Sequence, residues 1–162
     1  MGEISQLLFP EFCVGCGQHK GLLCKRCSWE WSGRPIRNQI NQVPLISASY
    51  YSHSISKIIL RAKEDNDRRA RLLIANSIAQ FVPALTTIVP IPSRKAALRR
   101  RGFDHSYLLA KEVARLCGGN ALRILKVNRT IRDQTSVAHQ ERFANLAGAY
   151  SAKIGNRLPT PV

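Results

Sequence analysis

No stretch of this sequence approaches the ~18 consecutive apolar residues of a membrane-spanning helix, so no membrane span is expected. The opening MGEISQLLFPEF has neither a basic leader nor a long apolar core, so no secretory signal is expected either. Met1-Gly2 with Ser5 misses the usual myristoylation spacing. A cytoplasmic location is the default, and there paired cysteines hold metal more often than they form disulfides. Acid is the other scarcity. Asp and Glu number 10 against 25 Lys and Arg, a formal net charge of +15. A chain so short of carboxylates suits a polyanionic partner: nucleic acid, a phosphorylated metabolite or an acidic protein surface. Charge alone does not choose among them. The length of 162 residues is that of one domain with room for a small added module.

Cysteine is plentiful in one place. Residues 13–27 read CVGCGQHKGLLCKRC, which is Cys13-x2-Cys16 and Cys24-x2-Cys27 with seven residues between the pairs. Two such knuckles can wrap four thiolates around one tetrahedral zinc. Two disulfides or an iron–sulfur centre are the alternatives. Gly15 and Gly17 let the first knuckle turn, and Lys20, Lys25 and Arg26 would offset the charge of a four-thiolate centre. His19 is a further candidate ligand, but four thiolates already close the site, leaving it structural and not catalytic. Trp29 and Trp31 follow. They either stack bases or supply the apolar core of a small zinc-ribbon-like module over residues 1–33. Residues 34–46 are polar with two prolines and read as a linker.

Residues 47–162 read as a second, α/β domain. Residues 47–52 suit a strand with Tyr50 and Tyr51 on opposite faces. Ser54 is placed to cap a helix carrying Ile55, Ile58, Ile59 and Ala62, and a polar turn at 64–67 precedes a helix with Ala75, Ile78, Ala79 and Val82 inward, ended by Pro83. Residues 86–92 form an apolar run closed by proline, as at the carboxyl end of a buried parallel strand. A basic loop follows, with Arg94, Lys95, Arg99, Arg100 and Arg101, then Gly102 as a permissive position and Asp104 as N-cap. The next helix carries Leu109, Val113, Leu116 and Cys117 on one face. Cations between a strand tip and a helix start favour an anion, although a charge run also suits a merely solvated loop. Residues 122–127 read as another strand, and 150–154 as the next. In the block between, Arg142 and Asn145 share a helix side.

The run VPIPSRKAALRRRGF, the cysteine knuckles and the later Arg129, Gln134, Glu141, Arg142, Asn145 and Tyr150 together resemble the ComF family. These are competence-associated, phosphoribosyltransferase-like proteins that include the gluconate-associated GntX type. The resemblance covers most of the chain; where the family has Asn-Gln after the aromatic, this chain has Asp104-His105. It implies a type I phosphoribosyltransferase-like parallel sheet with flanking helices. It also implies a pyrophosphate-type or phosphoribosyl pyrophosphate (PRPP) ligand held by Arg94, Lys95, Arg99, Arg100, Arg101, Gly102, Arg129, Gln134 and Arg142, with Lys63 at the family's lysine position. A role in DNA uptake or nucleotide metabolism follows, with a competence helicase-like ATPase as a candidate partner; single-stranded DNA is a further candidate, through the basic loop and Trp29 or Trp31. Full-length relatives continue with a strand ending in two acids and a Thr-Thr-Gly loop, which bind the ribose hydroxyls and the 5′-phosphate. Neither occurs here; Thr86-Thr87 precedes its strand and no glycine follows. The domain is therefore expected to be C-terminally incomplete, as in a fragment, a shortened reading frame or a degenerate paralogue. Magnesium is expected only with a complete site. No residue is assigned a catalytic role, and the alternative is a basic, non-catalytic nucleic-acid-binding or adaptor protein stapled by zinc.

Overall fold

The computed structural model describes residues 12–18, 21–32, 34–129, 138 and 141–152. The chain divides into two compact units, Met1–Val82 and Pro83–Val162.

In the first unit, helix α1 (Lys25–Trp31) starts directly after Cys24, its N-cap. Strands β1 (Ile36–Ile40) and β2 (Val43–Ser47) pair antiparallel, with Ile36 opposite Ser47 and Ile40 opposite Val43. Asn41 and Gln42 make the turn, both at positive φ (47° and 66°), as a two-residue hairpin of the primed type requires. The stretch expected as a linker is thus a hairpin. Its polar centre, Arg37-Asn38-Gln39, hid the alternation, and Asn-Gln is a weaker turn signal than Asn-Gly. The strand expected over 47–52 is a correction: only Ser47 belongs to β2, and Tyr50 and Tyr51 are 66% and 78% exposed.

Two helices complete the unit. α2 (His53–Glu64) is capped by Ser52, whose hydroxyl accepts from the Ile55 N–H at 3.3 Å. The cap lies two residues before the expected Ser54, which is instead buried inside the helix. α3 (Arg68–Ala79) is capped by Asp67, which accepts from the Arg69 and Ala70 amides. Their facing sides bury Ile58, Ala62 and Ala70, and Val14 from the cysteine module joins them. Trp31, Leu23, Leu73 and Ile74 pack against this cluster. A segment of some twenty residues is too small to bury a core by itself. The module shares a core with α2 and α3 within the compact unit Met1–Val82.

In the second unit, β3 (Thr87–Ile88) pairs parallel with β4 (Asn120–Ala121). Between them lie α4 (Lys95–Arg101) and α5 (His105–Cys117). Gly119 passes so close to the Thr86 carbonyl that a side chain would collide with it. The expected basic loop is corrected to a helix. KAALRRR contains only strong helix formers, and that preference outweighs the mutual repulsion of exposed cations, which water screens. Gly102, at φ 75°, ends α4 in the left-handed conformation that glycine adopts without steric cost.

The face expected on α5 is shifted. Ala110, Val113 and Ala114 are its buried residues, while Leu116 is exposed and Leu109 and Cys117 are half-buried. The strand expected over 122–127 is split. Asn120–Ala121 joins β3, and β5 (Leu125–Val127) pairs antiparallel with β6 (Tyr150–Ala152). A short helix, α6 (Arg142–Leu146), precedes β6. The described residues thus form a mixed helix and strand fold with three two-stranded sheets, one of them parallel. None of their helices is long and apolar enough to cross a membrane.

Candidate metal centre and basic cavity

The four paired cysteines meet. The sulfurs of Cys13, Cys16, Cys24 and Cys27 all lie within 4.8 Å of one another. Cys13, Cys24 and Cys27 are buried and Cys16 is half-buried. All four are free thiols. The Sγ atoms of Cys16 and Cys24 are 3.7 Å apart, well beyond the ~2.05 Å of a disulfide. Four sulfurs placed ~2.3 Å from one tetrahedral metal would be about 3.8 Å apart. The cluster therefore fits a single ion. A cluster of several irons would anchor its thiolates on different metal atoms and spread them further.

Backbone geometry builds this cage. The Gly17 amide donates to the Cys13 carbonyl at 2.8 Å, closing the first knuckle. The Cys24 amide donates to the Cys13 sulfur at 3.3 Å. A Cβ at Gly15 would stand 2.8 Å from the Cys27 sulfur, so only glycine lets the first knuckle close over the second. Cys27 donates to the Ser54 hydroxyl at 3.5 Å; as a thiolate it would instead accept from that hydroxyl. Ser52 donates to Glu30 at 2.7 Å, a second tie between α1 and the start of α2. Hydrogen bonds from Ser52 and Ser54 hold the Glu30 carboxyl below its usual range.

The thiols differ in acidity. Burial pushes Cys13 up, but amides of Cys24, Cys16 and Gly15 outweigh it and bring the thiol down to about 6. The Cys27 amide likewise lowers Cys24. Burial dominates at Cys27 and raises it to about 12. Without metal the cage therefore holds a mixture of thiolate and thiol, and an ion must displace the Cys27 proton to be fully bound.

The expected neighbours fare unevenly. Arg26 pairs with Glu30 at 3.5 Å. Lys20 and His19 lie outside the described residues. Trp31 packs into the core, whereas Trp29 is 79% exposed. Lys63 lies on the surface of α2, 3.9 Å from Glu64.

In the second unit, a cavity of about 440 Å³ is lined by Arg94, Lys95, Ala96, Arg99, Val127, Asn128 and Arg129. Helical spacing explains which cations reach it. Lys95 and Arg99 are four apart and share a face of α4, while Arg100 and Arg101 turn elsewhere. Arg101 donates from Nε to the Ala97 carbonyl and lies 6.0 Å from the centre of the Phe103 ring. Gly102 lines a separate, smaller cavity with Leu98, Phe103, Asp104 and Arg123. Arg129 has a structural task as well. Its Nη2 donates to the carbonyls of Ala144, Asn145 and Ala147, at 3.1, 3.2 and 2.8 Å, and so closes the end of α6. Gln134 lies outside the described residues, as does the side chain of Arg142.

Asp104 caps α5 as expected, accepting from the Tyr107 amide at 3.3 Å. It also accepts from the Ser93 hydroxyl and pairs with Arg123, whose guanidinium stacks 3.7 Å over the Tyr107 ring. Its negative charge is thus taken up locally. Arg123, Asn128 and Glu30 were not foreseen, and Ser54 was foreseen only as a helix cap, because each acts through a neighbour distant in sequence and belongs to no motif.

No protein-family model matches this chain, and no curated protein and no solved structure matches it either.

Proposed function

We propose that this chain is a ComF-like protein of the phosphoribosyltransferase family. In this reading residues 83–162 bind a diphosphate-bearing ligand of the PRPP type, and a structural zinc staples the first unit. The observation that carries the reading is the convergence of Arg94, Lys95, Arg99 and Arg129 on one cavity. Four of the nine residues nominated for the pyrophosphate side line it. Guanidinium and ammonium groups around a concave site suit phosphate oxygens, with arginine offering two parallel donors. The parallel β3–β4 pair, with cationic α4 following β3, is compatible with the sheet-mouth location of such sites.

Binding is assigned here and turnover is not. Phosphoribosyl transfer needs the ribose and the 5′-phosphate fixed together with the leaving group, and residues 1–162 contain no acidic pair followed by Thr-Thr-Gly. Magnesium would join only a complete site. The biological setting in this reading is DNA uptake or nucleotide metabolism in the cytoplasm, with a competence helicase-like ATPase as partner. Titration calorimetry with pyrophosphate and PRPP tests it. Heat of binding that disappears in Lys95→Ala/Arg99→Ala supports it; absence of binding by the parent chain rejects it.

A second reading has an observation of its own. Trp29 is 79% exposed beside Arg26 on α1, and Tyr50 and Tyr51 are exposed before α2. Exposed rings next to cations suit single-stranded nucleic acid, stacking on its bases. Affinity that falls steeply with salt and drops in Trp29→Ala would favour this reading.

A further inference from the structure

Cys16 is set apart from the other three cysteines by access. Cys13 and Cys27 are 0% and 1% exposed, and Cys24 is 7% exposed. Cys16 is half-buried, so it is the most exposed residue of the four. The Cys16 and Cys24 sulfurs lie 3.7 Å apart and are hydrogen-bonded to one another. The other two have further attachments: Cys13 accepts from the Cys24 amide, and Cys27 contacts Ser54 under the cover of Gly15.

We propose that Cys16 is an oxidative modification site, and that hydroperoxides convert Cys16 and Cys24 into a disulfide that expels the metal. The proposal rests on the metal-centre reading above. The Cys16 thiolate attacks one peroxide oxygen, the O–O bond breaks, hydroxide leaves and a sulfenic acid remains. The Cys24 thiolate then attacks that sulfur, the S–O bond breaks and a second hydroxide leaves. Two thiolates lose two electrons in total, and the peroxide gains them. The sulfurs must approach by about 1.6 Å to reach disulfide length, a movement available to a side chain on a half-exposed turn. Cys13 and Cys27 alone leave the ion half-coordinated, so it departs. The core that Val14 shares with α2 and α3 then loses its anchor.

The test uses the full chain loaded with zinc and treated with stoichiometric hydrogen peroxide. Zinc release is followed with a chromogenic chelator, and disulfides are mapped by peptide mass spectrometry. The expected result is one zinc released per Cys16–Cys24 disulfide, with rebinding after dithiothreitol. Cys16→His retains a metal ligand at that vertex and should slow peroxide-dependent release at least about tenfold, the thiolate being the oxidisable group. A Cys13–Cys27 bridge, a bridge to Cys117, or unchanged release from Cys16→His would overturn the proposal. Zinc content measured before peroxide is added tests the metal-centre reading separately. If it is zero, the same mapping on the metal-free chain still decides the thiol pair, and a missing Cys16–Cys24 bridge overturns it.

Discussion

The two units handle their functional side chains in opposite ways. In Met1–Val82 the cysteines are both site and core: Cys13, Cys24 and Cys27 form a buried cluster, and Leu23 packs against both that cluster and the one formed by Val14, Ile58, Ala62 and Ala70. In Pro83–Val162 the cations stand on the outside of a short helix that buries no residue. A site built from core residues is fixed by packing, whereas one built from surface charge depends on which helix face each residue takes. The first unit should therefore fail as a whole when its site is damaged. On the proposed reading, the second should lose ligand binding and keep its fold.

The largest effect expected from this contrast is metal removal. Structural zinc sites in small modules contribute on the order of 10 kcal/mol. Stripping metal under reducing conditions should sharply lower amide protection across residues 12–79, leaving that unit folded but only marginally stable, and should leave α5 protected, as read by hydrogen exchange. Equal loss in both units would erase the contrast. Next in size is the core itself. Ile58→Ala removes a fully buried side chain and should cost about 2–5 kcal/mol in denaturant unfolding of the first unit. Gly15→Ala should weaken metal binding in a chelator competition, because its Cβ meets the Cys27 sulfur. Smaller still is Asp104→Ala, a cap worth about 1 kcal/mol together with its tie to Arg123. It should lower the melting temperature of the second unit and spare metal content.

The metal-free cage also makes a pH prediction. The Cys13 thiol is lowered from 9.0 to about 6. Its stabilisation is complete above 9 and is lost as pH falls through about 6. Cys27 is raised from 9.0 to about 12, so its contribution is complete below 9 and is lost as pH rises through about 12. Reduced, metal-free protein should be most stable near pH 9 and weaken steadily toward pH 6. Thermal melts over that range check the sign. A melting temperature that rises on acidification would contradict it.

Much of the first site was legible because Cys-x2-Cys spacing alone brings two sulfurs together, and two such pairs leave few other arrangements. The hairpin at 36–47 was not, since its turn residues are Asn41 and Gln42 and its strands carry Arg37, Asn38 and Gln39. In the second unit, the cap at Asp104 could be read directly from local chemistry, whereas Gly102 was legible as a permissive position but not as the end of a helix. The helix over 95–101 was masked by its own charge: five cations in eight residues suggest a loop until Ala96, Ala97 and Leu98 are weighed. Sequence nominated Arg100 and Arg101 equally with Lys95 and Arg99. Only the turn of α4 separates them. Arg129 was nominated for a ligand and is found holding three carbonyls at the end of α6, a contact that spans more than a dozen residues of sequence.

That division of α4 into two faces gives the most direct measurement. Pyrophosphate binding is compared by titration calorimetry in Lys95→Ala/Arg99→Ala and in Arg100→Ala/Arg101→Ala. Both doubles remove two charges, so long-range attraction falls alike in each. If the cavity binds the ligand, the first should lose at least about 100-fold in affinity, at 1.5–3 kcal/mol per charged hydrogen bond, and the second no more than a few-fold. Equal losses in the two, or a larger loss in the second, would contradict a site at this cavity.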